Sequence, residues 1–334
     1  MKSAMMSHAE MGTWWMDRNF ALEAVRVTEA AALAASHWVG KGREKDADQA
    51  AVNAMREALN GLTIDGTVVI GEGERDKAPM LYIGEKVGTG QGPQIDIALD
   101  PLEGTTLCAT GGPNSLAVVA LAEHGGFLHA PDVYMEKIAV GGDLPEGVVD
   151  LDHSPAANLK YLARAKKCEI SDLSVVILNR PRHEELIAKV RETGARIQLI
   201  QDGDVAGVIA TASPATTGAD MYLGIGGAPE GVLAAAALRS IGGQMQGRLL
   251  FSDEAEKARA SRMGITDFNR KYSLLDMARG DVMFAATGVT DGAMLRGVKR
   301  TAKGAVTHSI VMRSKTGTVR IIEAQHNFAR KKEI

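Results

Sequence analysis

The chain has 334 residues, 45% of them apolar and 24% charged, which is typical of a globular protein with two domains or one large α/β unit. Its net charge of -3 gives no overall electrostatic case for binding nucleic acid or an anionic membrane. No apolar run approaches the ~18 residues of a membrane span, and Met1–Glu10 lacks the pattern of a signal peptide. Two cysteines, Cys108 and Cys168, do not indicate a disulfide framework, so we expect a cytoplasmic protein without nucleic-acid or membrane partners.

The first half of the chain predicts two helices followed by strands. Residues 1–16 show no strong periodicity and are expected to form a loose arm. Alanine-rich helical spacing follows from Asp17 to Val39, and a second helix is predicted from Asp48 to Leu59. A connecting region is expected over 143–160. The predicted strands are Thr67–Ile70, Ile95–Leu99 and Leu116–Ala122.

After the connecting region, strands alternate with helices, which is typical of a parallel sheet. The predicted strands are Ser174–Leu178, Arg196–Ile200 and Met221–Ile225, and later Val282–Ala286, Ser309–Met312 and Thr318–Ile322. Each of the first three ends in polar or charged residues, where α/β sheets place their ligands. We therefore expect an N-terminal α/β domain over 17–160 and a C-terminal α/β domain over 161–330.

Acidic residues at strand ends are the strongest chemical signal in the sequence. The stretch from Asp96 to Thr106 runs from an apolar strand into two carboxylates, Asp100 and Glu103, separated by a proline turn. Oxygen donors without cysteine or a histidine cluster suit Mg²⁺ or Mn²⁺. The candidate metal ligands are Asp48, Glu72, Asp100, Glu103 and Glu230. The alternatives are solvated strand-end acids and, for Asp48, a favourable charge in the first turn of a helix.

Further residues are candidates for catalysis. Thr105 follows the carboxylates and could hold the attacking water, with Glu72 or Asp76 as the neighbouring carboxylate. Thr105 could instead cap the helix that is predicted to begin near Gly104, and both roles are compatible. Tyr134 could pack on a ligand or hydrogen-bond to it, or be a half-buried core residue.

Two segments after predicted strands are candidates for binding a sugar phosphate. Arg180, Arg182 and His183 could form an anion pocket, since arginine matches phosphate oxygens in a bidentate way. The alternative is a solvated helix start. Asp202 and Asp204 flank a glycine and could accept hydrogen bonds from sugar hydroxyls, or act as Asx-type caps.

Several motifs together resemble a known enzyme family. The run Asp100-Pro101-Leu102-Glu103-Gly104-Thr105 resembles the D-P-[ILV]-[DE]-G-T signature of the lithium-sensitive, Mg²⁺-dependent phosphatases. The segments Gly71–Glu74, Ala78–Gly88 and Gly224–Gly231 narrow the resemblance to class II fructose-1,6-bisphosphatase, the bacterial GlpX type, over roughly residues 20–330. The resemblance implies an αβαβα sugar-phosphatase sandwich with two α/β subdomains, in which 17–160 binds metal and 161–330 binds the sugar phosphate.

The resemblance also implies an activity and the residues that carry it. The reaction is hydrolysis of the 1-phosphate of fructose 1,6-bisphosphate to fructose 6-phosphate, a step of gluconeogenesis, by in-line attack of a metal-activated water. The five candidate ligands match the metal positions of the family, Thr105 matches the residue that positions the water, and two or more Mg²⁺ or Mn²⁺ ions are expected. The residues that match substrate contacts are Glu103, Gly104, Thr105, Tyr134, Arg180, Pro181, Arg182, Asp202, Gly203, Asp204 and Gly227. We expect a homo-oligomer, a dimer or a tetramer.

Alternatives of different kinds stay open at this point. The enzyme could also act on sedoheptulose 1,7-bisphosphate, or it could be an inositol-phosphatase-like enzyme, although the motif over residues 71–88 favours the sugar bisphosphatase. The chain could also be a sugar-phosphate sensor without turnover. Such a sensor is expected to lack Thr105 or an acidic ligand, and none of them is missing from this sequence.

Overall fold

The computed structural model describes residues 20–73 and 80–330. The expected arm over residues 1–16 and the candidate Asp76 lie outside the described residues. The α-helices are α1 (Phe20–Ala35), α2 (Glu44–Asn60), α3 (Thr105–Thr110), α4 (Pro155–Lys166), α5 (Glu184–Glu192), α6 (Asp204–Ala210), α7 (Pro214–Thr217), α8 (Ala228–Ile241), α9 (Glu254–Arg262) and α10 (Leu274–Met277). The strands are β1 (Asp65–Ile70), β2 (Lys86–Val87), β3 (Gln94–Glu103), β4 (Leu116–Glu123), β5 (Tyr134–Gly141), β6 (Ser174–Leu178), β7 (Arg196–Ile200), β8 (Met221–Gly227), β9 (Gly243–Leu250), β10 (Lys271–Ser273), β11 (Val282–Gly288), β12 (Lys299–Thr301), β13 (Gly304–Arg313) and β14 (Thr318–Asn327).

Helices and sheets alternate in five layers. Helices α1 and α2 cover one face of an eight-stranded sheet with the order β12-β13-β11-β4-β3-β1-β2, in which β14 pairs with β13. Helix α8 lies between this sheet and a six-stranded sheet with the order β10-β9-β5-β8-β6-β7. Helices α4 and α5 cover the outer face of the second sheet. The αβαβα sandwich that the resemblance implies is therefore confirmed.

The predicted elements are present, with three informative differences. Helix α4 begins at Pro155, inside the expected connecting region, and the Ser154 side chain caps it by accepting a hydrogen bond from the N–H of Ala157. Strands β5 and β9 were not predicted. Because β5 is covered by helices on both faces, its residues lack the alternation of apolar and polar side chains that identifies a half-buried strand.

Sheet membership does not follow the predicted domain boundary at residue 160. Strands β11 to β14 come after that residue, yet β11 pairs with β4 and completes the first sheet. Strand β5 comes before it, yet pairs with β8 and β9 at the centre of the second sheet. Long-range antiparallel pairing of this kind leaves no local sequence signal, and the division into a metal-binding and a sugar-phosphate-binding domain stays a prediction.

Three neighbouring strands of the second sheet bring the predicted ligand-binding segments to one edge. Strand β6 pairs in parallel with both β7 and β8. The carboxyl ends of these three strands therefore lie side by side. Arg180 follows β6, Asp202 follows β7 and Glu230 follows β8. This arrangement matches the expectation that the ends of consecutive α/β strands form one binding edge.

Helix α8 sets the distance between the two sheets. Its residues Val232–Leu238 are all buried, and four of the seven are alanines, so that both sheets can approach the helix closely. Interiors of this kind are packed without room for larger side chains. Among the described residues, no helix combines the length and apolar character needed to cross a bilayer.

We predict that Ala235→Leu lowers the free energy of unfolding by about 1–3 kcal/mol, because the added volume has no space between the two sheets. Urea unfolding followed by circular dichroism measures the change. The control is Ala258→Leu in α9, where the alanine is exposed and the same substitution should change the free energy by less than about 0.5 kcal/mol. Equal losses in the two variants would contradict the role given to α8.

Candidate active site

A cavity of about 440 Å³ lies where the ends of β3, β6, β7 and β8 meet. Its wall contains all five candidate metal ligands, Asp48, Glu72, Asp100, Glu103 and Glu230. It also contains the candidate substrate residues Gly104, Thr105, Tyr134, Arg180, Arg182, Asp202, Gly203, Asp204 and Gly227. Pro181 is not part of the wall, although it lies between two residues that are. Residues far apart in the sequence thus share one cavity, while the role of each stays a prediction.

Asp100 and Glu103 face the cavity because β3 is irregular between them. The pairing of β3 with β4 shifts register there, since Pro101 cannot donate a ladder hydrogen bond. Asp100 Oδ1 accepts a hydrogen bond from the N–H of Leu102 at 3.0 Å. Glu103 Oε1 accepts one from the N–H of Val205, at the start of α6, at 2.9 Å. Backbone donors from β3 and from α6 therefore hold these carboxylates in place.

Two carboxylate oxygens in the cavity wall lack a donor. Within the described residues, Glu103 and Glu230 each have a buried Oε2 without a hydrogen-bond partner. Glu230 lies in the first turn of α8, and a Cβ atom at Gly227 would overlap its Oε2, so the Glu230 carboxylate holds this position only because residue 227 is glycine. Buried oxygens of this kind are costly unless a cation or water meets them. With oxygen donors only, the set fits a hard divalent cation.

The carboxylates raise one another's pKa values. Burial, followed by the charges of Asp48 and Glu230, raises the pKa of Glu72 to about 8. Burial and then Glu72 raise the pKa of Asp100 well above its ordinary value, and burial and then Asp100 do the same for Glu103. Carboxyls that repel at short range and cannot be solvated cannot all ionise without a cation.

The carboxylates are close but are not arranged as a finished ligand shell. Across residues 20–73 and 80–330, no three His, Cys, Asp or Glu side chains form a group that could hold a metal ion as it stands. The raised pKa of Glu72 and the two oxygens without a partner are unfavourable features that a bound cation would relieve.

The cavity wall also contains two arginines that the fold orients. The Arg182 guanidinium donates from Nε and Nη2 to the carbonyl of Ile225, at 3.1 and 2.9 Å, and lies 4.8 Å from the centre of the Tyr134 ring. Arg180 Nη2 is 3.0 Å from Asp202 Oδ1. Both guanidiniums are thus fixed at the cavity wall with remaining N–H groups for an anion.

His183 differs from the sequence expectation. It is buried, its Nδ1 lies 2.7 Å from the carbonyl oxygen of Leu178, and its Nε2 accepts a hydrogen bond from the N–H of Ile225 at 2.7 Å. Burial lowers its pKa, which keeps the ring neutral. With both nitrogens bound to the backbone, His183 cannot join the arginines in binding phosphate; it ties the ends of β6 and β8 together instead.

The sequence patterns did not identify three residues of this site. Asp132 lines the cavity just before β5, and Lys137 in β5 places its Nζ 2.5 Å from Asp204 Oδ2. Tyr222 in β8 donates a hydrogen bond from its hydroxyl to the same Asp204 oxygen at 2.9 Å. The one available signal was a lysine directly before the apolar run Ile138–Val140, an unusual position unless the ammonium has a buried partner.

Comparison with known proteins places the chain in a family. The family model described as bacterial fructose-1,6-bisphosphatase, glpX-encoded, matches residues 18–326. Fructose-1,6-bisphosphatase 1 class 2 of Escherichia coli is 48% identical over 330 residues, covering 95% of this chain and 97% of that protein. Fructose-1,6-bisphosphatase class 2 of Shigella flexneri gives the same values, 48% identity with 95% and 97% coverage.

A more distant likeness exists among solved structures. An inositol monophosphatase from Anabaena (Nostoc) is 14% identical, with a TM-score of 0.31, and the match covers 59% of this chain and 72% of that chain. With so low an identity and TM-score, this likeness has no bearing on the function. The family match and the relatives at 48% identity confirm the resemblance found in the motifs. The chain therefore belongs to the family of bacterial fructose-1,6-bisphosphatases encoded by glpX.

Proposed function

We propose that this protein hydrolyses the 1-phosphate of fructose 1,6-bisphosphate to give fructose 6-phosphate and phosphate, as a step of gluconeogenesis. One observation carries the proposal: the wall of a single cavity contains both a cluster of carboxylates and two arginines that are held by hydrogen bonds. The carboxylates suit cations that bind the phosphoryl group to be removed, and the arginines suit a second phosphate. Relatives named for this activity, 48% identical over nearly their whole length, support the same substrate.

We propose Mg²⁺ or Mn²⁺ as the cofactor, with two or more ions held by Asp48, Glu72, Asp100, Glu103 and Glu230. When bound, such cations neutralise phosphoryl oxygens and make a water molecule more acidic. The Thr105 hydroxyl, at the start of α3 and in the cavity wall, holds the attacking water by a hydrogen bond. Glu72, in the same wall, takes the proton of that water. The same role predicted for Asp76 stays a prediction, because Asp76 lies outside the described residues.

The remaining wall residues would bind the sugar. Tyr134 is half exposed and covers the Arg182 guanidinium, so its ring and that guanidinium form one surface for a phosphate-bearing chain. The acidic residues Asp202 and Asp204 would accept hydrogen bonds from sugar hydroxyls. Gly203, at φ 75, turns the chain between these two residues. Its backbone lies in the cavity wall, where a side chain would cover it.

We propose that the enzyme is a cytoplasmic homo-oligomer, a dimer or a tetramer. Cys108 and Cys168 are both free thiols, as expected for a protein of a reducing compartment. Strand β14 lies at the edge of the first sheet and exposes Val319 and Ile321, two apolar side chains that association would bury.

The activity is tested by measuring phosphate release from fructose 1,6-bisphosphate in Mn²⁺ or Mg²⁺, with sedoheptulose 1,7-bisphosphate and an inositol phosphate as competing substrates.

We predict that Thr105→Ala lowers kcat by at least about 100-fold, with KM within about threefold, because only the water loses its hydrogen bond. The control is Thr106→Ala, since Thr106 is the exposed neighbour in the same helix turn. Full activity of Thr105→Ala, or equal losses in both variants, would contradict the role of Thr105.

We predict that Arg182→Gln raises KM for fructose 1,6-bisphosphate by about tenfold or more, because a charged hydrogen bond to phosphate is worth about 1.5–3 kcal/mol. Steady-state kinetics measures the change. Arg191→Gln, on the exposed side of α5, is the matched control and should leave KM unchanged. An unaltered KM in Arg182→Gln would remove this arginine from the substrate site.

We predict that the metal-free protein loses stability as pH rises from 6 to 8, and that Mn²⁺ abolishes the loss. The pKa of Glu72 is about 8 when folded and about 4.5 when unfolded, so the folded state holds more protons in this range and its advantage disappears as they leave. Urea unfolding in EDTA or Mn²⁺ at each pH measures it, and Glu72→Gln should flatten the metal-free profile. A free energy of unfolding that is constant over this range without metal would contradict the prediction.

A further inference from the structure

One carboxylate of the cavity differs from the candidate metal ligands. Asp204 lines the same wall as they do, at the first residue of α6, and it is buried, as Glu103 is. Yet its Oδ2 is already engaged, by Lys137 Nζ at 2.5 Å and by the Tyr222 hydroxyl at 2.9 Å. Glu103 and Glu230, by contrast, each have an oxygen without a donor.

Lys137 is held in place by the packing of the second sheet. It lies in β5, between β8 and β9, and its side chain is fully buried. Its Nζ also donates to the carbonyl of Gly227 at 2.8 Å. Gly226 leaves room for the ion pair: a Cβ atom there would lie 2.0 Å from Asp204 Oδ2 and 3.0 Å from Nζ.

The position of this ammonium is explained by the charges around it. A buried lysine is rare unless it is paired, because removing the charge from water costs several kcal/mol. Here the pairing is with Asp204, and the ammonium also attracts the neighbouring acid: burial raises the pKa of Glu230, and Lys137 opposes that rise. Carboxylate and carbonyl oxygens, the two partners of Nζ, are also the groups that a hard metal ion takes.

We propose that Lys137 is a resident cation of the cavity, which occupies Asp204 and thereby keeps that carboxylate out of the metal ligand set. Asp204 then stays available for the sugar, while the cations bind to the carboxylates that have no counter-ion. Because Lys137 is fully buried and two of its three donors are used, it contacts neither substrate nor metal and is a positioning residue. The inference rests on the proposed function, whose cations it concerns.

Direct Mn²⁺ binding, measured by isothermal titration calorimetry, tests the inference without relying on turnover. Lys137→Met keeps the length of the side chain and removes the charge. We expect this variant to bind one more equivalent of Mn²⁺ per chain than the wild type, because Asp204 becomes a ligand. Its kcat/KM for fructose 1,6-bisphosphate should fall at least tenfold. In Lys137→Met/Asp204→Asn, the number of Mn²⁺ equivalents should return to the wild-type value.

The matched control is Lys166→Met. Lys166, the last residue of α4, is paired with Asp220, which directly precedes β8, and neither residue lines the cavity. This variant should also lose stability, because it too removes a lysine–aspartate ion pair. The number of Mn²⁺ equivalents that it binds and its kcat/KM should stay within twofold of the wild-type values. A folded Lys137→Met protein with wild-type Mn²⁺ equivalents and affinity would overturn the inference.

Asp204→Asn in the wild-type background tests the same point if Lys137→Met does not fold. If Lys137 already excludes Asp204 from the ligand set, this variant keeps the wild-type Mn²⁺ affinity and raises KM for the substrate. A tenfold or larger loss of Mn²⁺ affinity would show that Asp204 is a ligand and overturn the inference. Absence of Mn²⁺ binding by the wild type would instead overturn the proposed function, and the inference with it.

Discussion

The carboxylates in the cavity repel one another, and the surrounding structure keeps them close together in spite of that repulsion. Asp48 lies in α2, Glu72 after β1, Asp100 and Glu103 in β3 and Glu230 in α8, and all five line one cavity. Backbone N–H groups donate to one oxygen each of Asp100 and Glu103, while burial and the charges of Asp48 and Glu230 raise the pKa of Glu72 to about 8. Ionised carboxylates gathered in this way are destabilising unless something else supplies positive charge, which in this account is divalent metal ions.

The five-layer fold explains how the cluster is assembled. Asp100 and Glu103 end a strand of the first sheet, whereas Glu230 begins the helix that separates the sheets, directly after a strand of the second sheet. The alanine run of that helix lets the two sheets come close, so that strand ends from both line one cavity. The hydrogen bond from the N–H of Val205 to Glu103 joins α6, which follows β7 of the second sheet, to the end of β3 in the first. Catalytic geometry and interior packing therefore depend on the same small side chains.

Much of the site could be predicted because its signals are local. A proline turn between Asp100 and Glu103, or arginines directly after a strand, can be identified from a few neighbouring residues. Lys137 and His183 could not be assigned in this way, because their roles depend on the partners that the fold brings to them: Asp204 for the lysine, and the backbone of β6 and β8 for the histidine. For the same reason, the sequence could not predict which strands pair in each sheet, since the pairing of β11 with β4 joins segments far apart in the chain.

The central claim is that these carboxylates bind the cations that catalysis uses. It is tested most directly by a crystal structure of Thr105→Ala grown with Mn²⁺ and fructose 1,6-bisphosphate, with manganese located by anomalous scattering. The account predicts manganese peaks within coordination distance of Glu103 Oε2 and Glu230 Oε2, with the 1-phosphate beside them and the other phosphate at Arg180 and Arg182. Manganese bound elsewhere, or a sugar phosphate that leaves these two oxygens without a partner, would contradict it.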